Sequence, residues 1–149
     1  MSIATSSLPR PGLVNMAISL AMAVSLAGVV VLFFFLPNMM AHMQAQGLPT
    51  EAISGGVMYG AALAGVLFVG ILCFFIARGN NVARWVWAVF TAYGFISAIG
   101  GMGMTFGISP LFGVIGIALQ LLSIISVVLL FMPVSTAWFK AVKQAKLAS

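Results

Sequence analysis

Residues 53–77 read ISGGVMYGAALAGVLFVGILCFFIA, a run of 25 residues without a charged side chain. A helix of about 20 apolar residues crosses the hydrocarbon core of a bilayer, so this run predicts a membrane span. Three further uncharged apolar runs, at residues 14–36, 85–106 and 111–132, predict three more spans. The runs are continuous and do not alternate, which favours helices over the strands of a membrane β-barrel.

The composition of the whole chain is typical of a membrane protein. Of its 149 residues, 63% are apolar and 5% are charged, and the mean hydropathy is +1.24. Soluble domains carry about 25% charged residues, so a soluble enzyme, a nucleic-acid-binding module and a disordered tail are excluded. The length leaves room for four spans with short loops. We therefore expect an all-α membrane protein, a four-helix transmembrane bundle that forms one domain over residues 1–149.

The basic residues predict how the helices are threaded through the membrane. All six fall before the first span, between the second and third, or after the fourth. The other side holds the only acid, Glu51, and the only histidine, His42. The positive-inside rule then places both termini in the cytoplasm. The six basic residues are Arg10, Arg78, Arg84, Lys140, Lys143 and Lys146.

The segments between the runs predict the connections. Pro37 follows the first run directly, and we expect it to end the first helix and to begin an outer loop over residues 37–51. The first run has 23 residues, more than the roughly 7–15 of a signal-peptide core. We therefore interpret it as a retained helix. Residues 78–84 predict a polar inner turn, and residues 107–110 predict a short outer turn.

Aromatic and basic residues near the inner helix ends predict contacts with lipid headgroups. An indole ring favours this depth because the ring is apolar and its N–H needs a partner. Residues 135–147 predict a short amphipathic helix along the inner interface, either as a lipid-anchored end or as a docking handle for a partner. Its apolar face would hold Trp138, Val142 and Ala145. The expected interface anchors are Arg78, Arg84, Trp85, Trp138, Lys140 and Lys143, with Trp87 close by.

Small residues recur at a spacing of four within the spans. Gly56, Gly60 and Ala64 form such a row on the second span, and Gly103 and Gly107 form one on the third. Lipid tails are as apolar as the helices, so close packing between helices depends on small side chains. We expect these rows to pack the helices of one bundle together, and the alternative is an interface with a second copy or with another membrane protein.

Few side chains within the spans carry chemistry. Gln120 is the most central polar residue, and Ser123 follows one turn later. We expect the Gln120 amide to bond a hydroxyl on another helix, such as that of Ser97, and the alternative is a substrate contact in a small pore. Transporters usually place ionisable groups within their spans, and the four runs have none. No nucleophile is paired with a base, so we expect neither an enzyme nor a cofactor.

One cluster on the outer side has residue types that bind soft metals. Met39, Met40, His42 and Met43 crowd the predicted outer loop. Thioether sulfur and imidazole are ligands suited to Cu(I), so the cluster is a candidate copper or silver site. Methionine also fills gaps where packing is irregular, and we favour that interpretation and expect no bound metal.

Two motifs carry a resemblance to known sequences. Residues 78–85 read RGNNVARW, and residues 129–139 read LLFMPVSTAWF. Together they resemble a loose group of uncharacterised bacterial inner-membrane proteins with four spans. In that group an R-x-N-x-A-R-W-like inner turn and an L-L-F-x-P-x-S-x-x-W-F ending recur, and this chain has one additional residue between Asn80 and Ala83. The group has no assigned reaction, so the resemblance implies four spans in a bacterial inner membrane. We interpret both motifs as cytoplasmic interface anchors.

These observations favour a non-catalytic role. We expect a small accessory or interaction subunit of a membrane complex, with the lipid bilayer and another membrane protein or a second copy as partners, and no nucleic acid. The first alternative is a small oligomeric channel or transporter component. A further alternative is an immunity protein that blocks a membrane-acting toxin.

Overall fold

The computed structural model describes residues 8–47 and 55–148. Within these residues the chain is helical, and four helices are long and apolar enough to cross a membrane. This confirms the expected helical membrane protein with four candidate spans. The helices are α1 (Gly12–Ala45), α2 (Gly55–Ala77), α3 (Asn81–Ile108), α4 (Pro110–Phe131) and α5 (Pro133–Leu147).

The first helix is longer than the sequence predicts. It runs through Pro37 and ends at Ala45, so the prediction of a loop is wrong for residues 37–45. A proline removes one backbone donor, and a continued helix still satisfies the other backbone groups within the segment, as apolar surroundings require. At about 1.5 Å per residue, α1 is roughly 50 Å long and exceeds the hydrocarbon core of about 30 Å. Residues 46 and 47 of the predicted loop form a turn. Its residues 48–51 lie outside the described residues, as do residues 53 and 54 of the second predicted span.

The inner turn is built by two residues with different functions. Gly79 has φ +73°, a left-handed conformation that favours glycine. Asn80 caps α3, because its side-chain oxygen accepts hydrogen bonds from the backbone N–H groups of Val82 at 2.9 Å and Ala83 at 3.4 Å. The third helix therefore begins at Asn81, four residues before the predicted start at Trp85.

Two prolines begin the last two helices. Pro110 is the first residue of α4 and Pro133 is the first residue of α5, positions where the missing N–H costs nothing. The predicted tail helix over residues 135–147 is thus confirmed, with its start two residues earlier.

The long helices contact each other to different extents. α1 packs against both α2 and α4, and α4 also packs against α3. The contact between α2 and α3 is less extensive. α5 contacts α4 and α1 where α4 ends and α1 begins.

The buried residues concentrate at one end of the helices. We call this the basic end and define it as residues 10–21, 69–91 and 126–146, which include all six Lys and Arg residues. Its buried cluster includes Val14, Ile76, Leu130 and Phe139. The other parts of α2 and α3, residues 55–68 and 92–108, contain no buried residue, and we call them the distal segments.

Candidate functional site

The guanidinium of Arg84 lies inside the basic end, although the sequence predicts an interface anchor. Arg84 is 6% exposed. Its Nη1 donates to the backbone carbonyl of Leu130 at 3.3 Å and to Oγ1 of Thr136 at 3.2 Å. Its Nε has no acceptor among the described residues. Arg84 therefore connects the start of α3 to the join between α4 and α5.

Two aromatic rings face the same guanidinium. Its central carbon lies 4.3 Å from the ring centroid of Phe131 and 4.9 Å from that of Phe139. A cation is attracted to the face of an aromatic ring, and the end of α4 adds the negative pole of a helix dipole. The described residues contain no Asp or Glu, so neutral groups alone offset the buried charge of Arg84.

The join between α4 and α5 satisfies backbone carbonyls that a helix end leaves without partners. Ser135 Oγ donates to the carbonyl of Leu129 at 2.7 Å, and Thr136 Oγ1 donates to that of Phe131 at 3.3 Å. Arg84 bonds the carbonyl between them. The motifs at 78–85 and 129–139 thus meet in one buried junction, which interface anchoring alone does not explain. The Ser-Thr pair shortly after Pro133 was the sequence signal for it.

The apolar face of α5 packs on the chain itself. Trp138 is 8% exposed and Val142 is 6% exposed, while Lys140 and Lys143 are exposed. A Cβ at Gly79 would lie 2.6 Å from Cγ1 of Val142, so the inner turn and α5 are in close contact. Trp138 belongs to the buried cluster at the basic end, whereas the sequence predicts that it contacts lipid headgroups.

The other two tryptophans lie in different environments. Trp85 is 55% exposed and its ring packs edge-on against Phe131, so its contact with lipid stays a prediction. Trp87 is 4% exposed, and its Nε1 donates to Ser126 Oγ at 3.3 Å. Ser126 Oγ in turn donates to the carbonyl of Ala17 at 3.0 Å. This chain of hydrogen bonds connects α3, α4 and α1, and the sequence analysis did not identify it.

Gln120 makes the expected kind of bond with a different partner. Its Nε2 donates to the backbone carbonyl of Thr91 at 3.2 Å, and its side chain lies beside Gly94. Ser97, the expected partner, is exposed. Ser123 Oγ donates to the carbonyl of Leu119 in its own helix at 3.0 Å.

The small-residue rows contact the rest of the chain less than predicted. Gly56, Gly60 and Ala64 are exposed, and a Cβ built on Gly60 would meet no atom within 4 Å. The same holds for Gly103. Gly107 differs, because its added Cβ would lie 3.2 Å from Cε1 of His42. Of the two interpretations, packing within the chain fits Gly107, and Gly60 and Gly103 face away from the chain.

The candidate soft-metal residues lie on the last turns of α1 and not in a loop. The spacing of Met39, His42 and Met43 places them on one helix face. Met43 is buried, and His42 Nε2 lies 2.8 Å from Nε2 of Gln46. Among the described residues no group of three His, Cys, Asp or Glu side chains is placed to hold a metal. This finding does not extend to methionine sulfur, so the expectation of no bound metal stays a prediction.

Comparison with known proteins found no similarity: the chain matches no protein-family model, no curated protein and no solved structure.

Proposed function

We propose that this chain is a non-catalytic subunit of a membrane complex, and that a transmembrane helix of a different protein packs against α2. In this proposal the four long helices form a transmembrane bundle in a bacterial inner membrane. Both termini face the cytoplasm, because all six basic residues belong to one end and basic residues are retained on that side.

The observation that carries the proposal is the exposed row on α2. Gly60 and Ala64 lie one turn apart, both are exposed, and the space beside Gly60 is empty for 4 Å. Small residues let two helix backbones approach closely, and this close packing drives association where lipid offers no hydrophobic contrast. A lipid-facing surface needs no such row, since large aliphatic side chains serve equally well there.

Gln120, the polar residue in the middle of α4, also favours an interaction subunit rather than a channel. Gln120 donates its amide to the Thr91 carbonyl and is only partly exposed. Its donor is therefore directed to a neighbouring helix of the same chain and not to a path for a substrate.

The first test is a native mass spectrum of the tagged full chain, extracted in mild detergent at its natural expression level. The proposal expects a heteromeric mass with one recurrent partner. Gly60→Leu should remove that partner, because the larger side chain blocks close backbone approach. Gly116→Leu is the matched control, since Gly116 on α4 is exposed and a Cβ there also meets nothing within 4 Å.

Four results would contradict this proposal. A lone monomer or a homo-oligomer at natural expression would show that the chain is not a subunit of a heteromeric complex. If both variants retain the partner, or if both lose it, the α2 row is not the specific interface.

The threading of the chain needs its own test. In a Cys73→Ser background, His42→Cys should react in intact cells with a thiol reagent that does not cross membranes. Lys143→Cys should react only after the membrane is opened. The reverse pattern would overturn the proposed orientation.

A further inference from the structure

A cavity at the basic end is lined by three cations. It has a volume of about 490 Å³ and lies where α1 begins, α2 ends and α5 passes. Binding sites for small molecules commonly measure roughly 300–1,000 Å³, so the cavity has room for a phosphate and its glycerol. Its lining residues are Leu8, Arg10, Ala77, Arg78, Trp138, Val142 and Lys146.

The charged side chains that line the cavity are all basic. The described residues include no Asp or Glu, and the chain's only acid, Glu51, precedes the opposite end of α2 in sequence. At about 1.5 Å per residue, the 23 residues of α2 separate the two ends by roughly 35 Å. Among the described residues, no acidic side chain therefore lies near Arg10 or Arg78.

Contacts within the chain hold two of these cations in place. Arg78 has its guanidinium carbon 4.1 Å from the ring centroid of Phe74. Lys146 Nζ donates to the backbone carbonyl of Arg78 at 3.1 Å. This contact ties α5 to the end of α2. These contacts already restrict both side chains, which lowers the cost of ordering them around an anion.

The remaining lining combines apolar groups with one indole. Leu8, Ala77 and Val142 offer hydrocarbon beside the cations. Trp138 is 8% exposed, and its Nε1 has no acceptor among the described residues. Cations next to an apolar wall match a ligand with a phosphate at one end and an acyl glycerol at the other.

We propose that this cavity binds the phosphate of an anionic phospholipid from the leaflet at the basic end of the helices. This binding site is independent of the partner proposed for α2. It differs from general attraction of a basic surface to a membrane, because it assigns the binding to Arg10 and Arg78 and not to the equally charged Lys140 and Lys143, which do not line the cavity.

The test titrates the purified full chain with phosphatidylglycerol or phosphatidylcholine and counts bound lipids by native mass spectrometry. We expect phosphatidylglycerol to bind at least tenfold more tightly. Arg10→Gln with Arg78→Gln should weaken its binding roughly thirtyfold, the effect of two basic groups beside an anionic lipid. Lys140→Gln with Lys143→Gln removes the same charge and should weaken binding only a few-fold.

Conservative and single variants separate binding from folding. Arg10→Lys with Arg78→Lys keeps both charges and should retain most of the binding, and circular dichroism should show native helicity in each variant. If the double glutamine variant does not fold, Arg10→Gln alone against Lys140→Gln gives the same comparison, with an expected loss of about fivefold. Arg10 precedes α1 and is exposed, so this change leaves the helices intact.

Three outcomes would overturn the proposal. Equal losses for the two charge-matched pairs would mean that lipid adsorbs to the whole basic surface. Equal affinity for phosphatidylcholine would mean that only the apolar wall binds. Displacement of the lipid by equimolar inorganic phosphate or glycerol 3-phosphate would identify a soluble phosphate as the ligand.

Discussion

The basic end and the distal segments of the same helices are built differently. At the basic end, Arg84, Trp87 and Ser126 make hydrogen bonds between helices, and α5 covers the buried cluster. The distal segments, residues 55–68 and 92–108, have no buried side chain within this chain. Apolar side chains do not distinguish protein from lipid, whereas polar groups and close approaches do. The difference indicates that the few polar groups decide where these helices pack together.

Gly79→Ala should have the largest effect on stability, because it tests the closest contact at the basic end. The substitution forces alanine into a φ of +73° and places its Cβ 2.6 Å from Val142. We expect a loss of about 2–4 kcal/mol in the free energy of unfolding, from backbone strain and overpacking together. Reversible unfolding in detergent measures it.

Gly47→Ala provides the control for that change. Gly47 also has positive φ, +68°, but a Cβ there meets nothing within 4 Å. Only the conformational cost remains, about 1–2 kcal/mol. Equal losses of stability at the two glycines would show that the contact with Val142 of α5 does not contribute to the effect at Gly79.

Arg84→Leu should be next in magnitude. It removes two hydrogen bonds from a buried guanidinium to the join between α4 and α5. We expect a loss of about 2–3 kcal/mol, since hydrogen bonds of charged groups contribute more than neutral ones. Arg78→Leu is the comparison, because that side chain is exposed over Phe74 and should cost about 1 kcal/mol or less. An unchanged stability in Arg84→Leu would mean that apolar packing replaces the buried charge without loss.

Ser126→Ala should have a smaller effect at the same end. It breaks the hydrogen bonds from Trp87 and to Ala17 while leaving the buried volume almost unchanged. We expect a loss of about 1 kcal/mol, read from the same unfolding curves. Ser123→Ala is the matched control, because its hydroxyl bonds only its own helix. If Ser123→Ala loses as much stability as Ser126→Ala, the hydrogen bonds between the three helices add nothing beyond a bond within one helix.

Gly60→Ala and Gly103→Ala should have the smallest effect, because both lie in the distal segments with open space around the new Cβ. Alanine is a better helix former than glycine by up to about 1 kcal/mol. We therefore expect no loss and a gain of about 0.5 kcal/mol in the isolated chain. A marked loss in the isolated chain would show that the distal segments pack more tightly than the structure indicates.

The sequence predicted the helical spans well because each one is an uninterrupted apolar run between polar residues. It predicted the end of α1 poorly, since Pro37 is a strong helix breaker in water and a weaker one where backbone groups have no alternative partner. Gln120 shows how far the partner of a side chain can be predicted from the sequence. An amide in a span must find a partner, and the sequence predicted that need, but the carbonyl of Thr91 became the acceptor through the way α3 and α4 pack.

Composition and the length of the apolar runs by themselves determined that the chain is helical with four candidate membrane spans, because transfer into lipid depends on the summed apolarity of each run. The tertiary structure alone decided which residues are buried. Arg84 and Trp138 have the residue types of interface anchors, yet Arg84 is buried beside Phe139 of α5 and Trp138 is buried on α5 itself. Gly60 has the type of a packing residue, yet faces outward. The reason is physical: apolarity is a property of each segment by itself, whereas burial and hydrogen bonding depend on which helices lie beside one another.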